Sequence, residues 1–198
     1  MKKRNRPEIY VSIDIEADGP IPGDYSMLSL GAAAFQPTSR TPIATFKVNL
    51  EPLAGASQDP DTMAWWKKQP EAWAAAILDP AKPEQAMEAF RDWLLNLPGK
   101  PVFVGYPATY DQSFVHWYMI HFCGEDPLGF QGLDLKTLAM VLLGTGFKQA
   151  TKKKMPKRWF EGCPPHTHDA LDDAIGQGVL FVNLMAEVKD RLGEVSLG

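Results

Sequence analysis

Cysteine is scarce in this chain of 198 residues: Cys123 and Cys163 are the only two, far apart and in no CxxC pair. That excludes a disulfide framework and a zinc knuckle, and it fits a reducing, cytoplasmic setting. Long apolar runs are missing as well. No segment approaches the ~20 apolar residues of a membrane span. The apolar stretch behind the basic start MKKRNR is short and interrupted by Asp14, unlike a signal peptide. Neither export nor a membrane partner is expected. Positive charge is not in excess either: the formal net charge is -4, which taken alone argues against a nucleic-acid partner, because phosphate binding favours a positive field. Repeats and low-complexity tracts are absent. What is there, 45% hydrophobic and 22% charged residues, has the composition of one globular domain. That domain is expected over 1–198, with 1–7 as a basic, flexible tail.

The most informative segment is IYVSIDIEADG. From Ile9 to Ile15 it is rich in β-branched and aromatic residues, and it ends at Gly19 and Pro20, so it reads as a strand. Side chains alternate across a strand. Val11, Ile13 and Ile15 therefore share one face, while Ser12, Asp14 and Glu16 share the other, with the two carboxylates roughly 6 to 7 Å apart. Like charges that close at the end of a core strand destabilise each other unless they share a proton or a cation. A divalent metal answers that need.

Further along, Met27 to Phe35 and Ala44 to Leu50 read as two more strands around a turn at Pro37 to Pro42, giving an antiparallel meander. Two short helices, Thr62 to Lys68 and Glu71 to Leu78, flank Pro70, and a longer one follows from Pro83 to Leu97. Pro101 to Tyr106 is a buried strand. A helix over about Tyr110 to Phe122, an extended piece near Phe130 to Leu133, a helix between Asp134 and Gly144, and a long helix from about Asp169 to Arg191 complete the order. Strands first, then alternating helix and strand, is the order of an α/β sandwich with a mixed sheet. Lys148, Lys152, Lys153, Lys154, Lys157 and Arg158 occur with no acidic residue among them, in what reads as a mobile loop. A solvated loop and a phosphate track fit this run equally well when it is judged alone.

Two other polar features stand beside Asp14 and Glu16. In GYPATYDQSF, Asp111 sits at the start of a helix, where an aspartate commonly caps free backbone N–H groups. In HTHDALDDAIGQG, His168 is followed five residues later by Asp173 at the head of the last helix, a place that carboxylates favour on their own account. Together SIDIEADG, ATYDQSF and HDALDDA resemble the three motifs of the DEDDh branch of DnaQ-like 3'-5' exonucleases. Asp14 and Glu16 match the first motif, Tyr110 and Asp111 the second, His168 and Asp173 the third, over nearly the whole chain. TMAWWKKQ, from Thr62 to Gln69, is also similar to a Thr-Trp-Trp-Gln segment of the exoribonuclease-like members, although Trp65 and Trp66 suit the core of a short helix equally. One departure is Pro107, where many members carry Asn, so a polar contact there is expected to be missing.

The resemblance implies a ribonuclease H-like fold, a mixed five-stranded sheet flanked by helices, and hydrolysis at a free 3' end to nucleoside 5'-monophosphates. It also implies two Mg²⁺ or Mn²⁺ ions held by Asp14, Glu16, Asp111 and Asp173, with Asp14 bridging both, and His168 as the general base. Hard oxygen ligands suit those ions, which neutralise charge on the attacking and leaving oxygens of a phosphodiester. An i to i+5 spacing does not put His168 on the helical face of Asp173, so it belongs on the preceding loop. His166 competes for the role, but its spacing to Asp173 does not match. For stacking on terminal bases the candidates are Met27, Leu28, Trp65, Trp66, Tyr106 and Tyr110, and for the backbone Lys152, Lys153 and Lys154; most of the apolar ones suit plain core positions equally. Asp134 is expected to cap its own helix. Two other classes compete: a nucleic-acid-binding module with a decayed site, and a metal-dependent phosphohydrolase of nucleotides. Relatives are often dimers, and the segment from Trp65 to Trp73 is the expected contact surface of a homodimer.

Overall fold

The structure, a computed structural model, describes residues 6–193. Lys2, Lys3 and Arg4 of the expected basic tail lie outside the described residues. Arg6 is tied down, its guanidinium donating to the carbonyl of Leu97 (2.7 Å).

Among the described residues there are five strands: β1 (Glu8–Ala17), β2 (Met27–Phe35), β3 (Ala44–Asn49), β4 (Lys100–Gly105) and β5 (Gly132–Asp134). They form a single sheet in the order β3-β2-β1-β4-β5. The meander β1, β2, β3 is antiparallel; β4 joins β1 in parallel, and β5 joins β4 in parallel. This is the mixed sheet that the element order predicts. Six helices cover it: α1 (Pro60–Trp66), α2 (Pro70–Ala76), α3 (Pro83–Leu95), α4 (Ala108–Cys123), α5 (Leu135–Leu143) and α6 (Ala170–Leu192). Pro70 breaks α1 from α2 by taking the first-turn position of the second helix, where its missing N–H does no harm.

Alternation along β1 sorts the two cores. Val11, Ile13 and Ile15 pack with Phe90 and Leu94 of α3 and Phe114 and Tyr118 of α4. Tyr10, on the opposite face, packs with Leu135 of α5 and Phe181 of α6. Fully burying each such side chain contributes about 1.5–3 kcal/mol, so the two layers hold the sheet between them. Asp14 and Glu16 share the α6 face with Tyr10.

The start of α6 lies directly against the strand beside them. Gly31 of β2 is the pairing partner of Asp14, and a Cβ on it would collide with the backbone of Ala170 and Leu171. Only a residue without a side chain allows the first turn of α6 to settle there. Asp169 caps this turn, accepting from the N–H groups of Leu171 (3.1 Å) and Asp172 (3.4 Å), and Lys47 of β3 pairs with the same carboxylate.

The lysine-rich segment expected as a mobile loop is instead a succession of tight 3₁₀ turns at Phe147–Gln149, Lys152–Lys154 and Lys157–Phe160. Buried Ala150, Met155 and Trp159 anchor it between the lysines. Trp159 Nε1 donates to Glu187 of α6 (3.0 Å). The alternation of charge with a few buried apolar residues has no regular period, which is why it reads as loop from sequence. No described helix is long and apolar enough to cross a membrane.

Candidate active site at the carboxyl end of β1

Three elements bring carboxylates to the end of β1. Asp14 and Glu16 come from the strand itself, and Asp173 from the first turn of α6; one oxygen of each lies within 4.8 Å of the others. Asp111 arrives from the first turn of α4 and is tied to the strand between the other two, its Oδ1 accepting the N–H of Ile15 (3.1 Å). Asp111 and Asp173 are buried. Burial pushes the Asp14 carboxyl well above its ordinary value, and the neighbouring charges of Asp111, Glu16 and Asp173 push it further, with Lys152 opposing them. Burial, then Asp173 and Asp111, raise Glu16 to about 8. Burial raises Asp111 to about 7, against the Ile15 N–H. Such a cluster is charge-frustrated: four carboxylates converge, and no arginine among the described residues is paired with them. Their hard oxygen atoms fit magnesium- or manganese-type ions and would not favour a softer metal.

Gln177, one turn beyond Asp173 on α6, donates its amide to Asp14 Oδ1 (2.6 Å). Two histidines approach from the loop before α6. His166 Nδ1 lies 2.7 Å from Asp173 Oδ1, and the N–H of Thr167 donates to the same oxygen (3.3 Å). His168 has a left-handed backbone (φ 57°) and packs edge-on against Trp65 (ring centroids 5.1 Å) and against His166 (4.2 Å). Burial and the charge of His166 lower its pKa, with Asp173 opposing. His168 is therefore in the preceding loop, as its spacing predicts. The histidine in contact with Asp173 is His166, which the spacing argument sets aside.

A cleft of about 400 Å³ opens beside Asp14, Asp173 and His166, walled by Tyr106, Lys152, Phe160, Leu180 and Gln177. Of the expected base-stacking residues, Tyr106 lines it, with Lys152 Nζ 5.1 Å from its ring centroid. Tyr110 and Trp65 are partly exposed, and the hydroxyl of Tyr110 donates to the carbonyl of Gly19 (3.0 Å). Lys152, Lys153 and Lys154 are exposed. Met27, Leu28 and Trp66 are buried in the core and present no surface to a base. The indole of Trp66 donates to Ala17 O (2.9 Å) and packs on the half-buried Trp73 (ring centroids 5.3 Å). Pro107 stands before α4, where the N–H of Ala108 is capped by Asp134 Oδ2 (2.8 Å). Asp134 also caps its own helix through Thr137 N–H (2.6 Å), as expected.

A family model, the 3'-5' exoribonuclease Rv2179c-like domain, matches residues 9–185. The chain belongs to this family. A relative from Escherichia coli, 3'-5' DNA exonuclease Cap18, is 34% identical over 187 residues, which cover 90% of this chain and 92% of that one. Among solved structures, the nuclease domain of 3'hExo, a DEDDh family member bound to rAMP, superposes with a TM-score of 0.64 at 10% identity, covering 98% of both chains. S. pombe Pop2p in its Mg²⁺- and Mn²⁺-bound form gives 0.60 at 15% identity, over 96% of this chain and 86% of that one. These likenesses identify the ribonuclease H-like exonuclease fold. As a member of the Rv2179c-like family, the chain is a hydrolytic 3'-5' exonuclease. Gln177 has no signal in the sequence, since a lone glutamine in a helix carries no pattern.

Proposed function

We propose that this Rv2179c-like exonuclease shortens single-stranded or overhanging nucleic acid from its 3' end, releasing nucleoside 5'-monophosphates, with two Mg²⁺ or Mn²⁺ ions in the carboxylate cluster and His168 as general base. The observation that carries this reading is the approach of Asp14, Glu16 and Asp173 oxygens to within 4.8 Å of one another in a partly buried site. Bound divalent cations would lower the pKa of water and offset the charge that builds on the phosphate. Asp14, Glu16 and Asp173 hold them, Asp111 supports the second from its anchored position on β1, and Gln177 fixes the Asp14 carboxylate. His168, kept neutral by its surroundings, takes the proton of the attacking water at a ring nitrogen. Trp65 sets its resting place. Lys152 faces the phosphate, with Lys153 and Lys154 on the flank, and Tyr106, Tyr110 and Trp65 offer rings to the terminal bases.

The relative is named a DNA exonuclease and the family model an exoribonuclease, so both polymers belong in the assay. The test is incubation of 5'-labelled single-stranded DNA and RNA with Mn²⁺ or Mg²⁺, with and without EDTA, beside free nucleoside phosphates. A ladder shortening from the 3' end, abolished by EDTA, is expected. Hydrolysis of the free nucleotides with the oligonucleotides left intact would replace this reading with a nucleotide phosphohydrolase.

A further inference from the structure

Outside the cleft, Phe147 is 47% exposed on the first 3₁₀ turn of the lysine-rich segment, and Lys136 Nζ sits 4.4 Å from its ring centroid. The cleft wall carries the same combination, Lys152 over Tyr106 at 5.1 Å. We propose that these two aromatic–lysine pairs form one track for the single strand 5' of the scissile bond, with Phe147 stacking a base and Lys136 meeting a phosphate upstream of the cleft. This rests on the reading of the cleft as a 3'-end exonuclease site and extends it to residues that reading does not use.

Two independent connections make the pairs neighbours. Gly105 of β4 is the pairing partner of Asp134 of β5, at the ends of two strands about 4.8 Å apart; Tyr106 directly follows the first, and Lys136, in the first turn of α5, lies two residues past the second. The other halves, Phe147 and Lys152, share one short segment. That segment is held at its middle: Ala150 is fully buried, its carbonyl accepts the Tyr106 hydroxyl (3.0 Å), and its N–H donates to Gly146 O (3.2 Å). Asp134 lies between the pairs, but its oxygens are engaged by the N–H of Ala108 and by the N–H and hydroxyl of Thr137.

Chemistry selects the occupant. A ring with an ammonium beside it, repeated within a few nucleotides' reach, matches a base with a phosphate beside it; stacking tolerates any base because each has a π-face. A duplex hides those faces, and an acidic peptide has no use for the rings. The lysine stem is flexible, so the ammonium can leave the ring for a phosphate when a base takes its place.

The test compares wild type, Phe147→Ala and Lys136→Ala in two assays. Equilibrium binding of a fluorescent oligo-dT is measured in chelator, and turnover is measured on a dinucleotide and on a long single strand. Phe147→Ala should weaken binding of the long strand by about 5- to 150-fold, the range for one stacked base, and raise its KM while leaving dinucleotide turnover unchanged. Lys136→Ala should reduce the salt slope of binding by about 0.7, one phosphate on a single strand. Wild-type-like binding and length dependence in both variants overturns the track, as does polyglutamate competing as well as oligo-dT. A wild type that binds the strand but shortens nothing refutes the exonuclease site and leaves the track standing.

Discussion

The Gln177 amide donates to Asp14 Oδ1 across 2.6 Å, joining α6 to β1 over 163 residues of sequence. Gln177 follows Asp173 by four positions, so one face of α6 presents both a carboxylate and the group that steadies another. Its own Oε1 is buried and has no partner among the described residues, which makes the contact with Asp14 the bond that holds the side chain. Partners of metal-holding carboxylates are commonly worth about 10–100-fold in affinity or activity. Gln177→Leu should therefore lower activity by that order and raise the Mn²⁺ concentration needed for half-maximal rate. Titration of activity against Mn²⁺ checks it, and an unchanged midpoint would remove Gln177 from the site.

Asp14→Ala and Asp173→Ala should each abolish hydrolysis while leaving the fold intact. In the absence of metal both should melt higher than wild type, because each removes one member of a repelling set. Calorimetry in chelator together with the 3'-end assay reads both effects.

The same repulsion fixes a pH dependence. Glu16 and Asp111 are raised to about 8 and about 7 from ordinary values of 4.5 and 3.8. A carboxyl whose pKa is higher in the fold than in the unfolded chain favours folding when protonated. Its contribution is complete below the ordinary value and is lost as pH rises through 7 to 8. The metal-free protein should thus lose melting temperature over that rise, Mg²⁺ or Mn²⁺ should restore it, and Glu16→Gln should flatten the loss. A melting temperature that climbs with pH in chelator, in wild type and Glu16→Gln alike, contradicts the argument.

Loss of His168 should slow turnover by about 10² to 10⁴, as for a general base. His166→Ala should have the smaller effect, since His166 leans on Asp173 where an ion would take its place. Single-turnover rates at saturating Mn²⁺ compare the two. The reverse ranking would transfer the base to His166.

Much of this was legible in the sequence because period and punctuation agree. The alternation of Val11, Ser12, Ile13 and Asp14 sets which face of β1 meets α6, and Pro70 and Gly144 mark helix limits where they fall. The carboxylates stood out because charge on a core strand has few uses. Met27 and Leu28 did not, since an apolar pair after a loop fits either a stacking surface or a strand; the bond from Met27 N–H to the Tyr118 hydroxyl (2.7 Å) holds that stretch inside. The position of His166 was equally out of reach, because it depends on how the loop folds over α6 and not on spacing.

Position 31 has no side chain to offer a ligand, yet the bare backbone there sets how deep α6 can sink beside Asp14. Adding a single methyl group at that point would lift Asp173 and Gln177 together, silencing the enzyme from the neighbouring strand without changing one acidic residue.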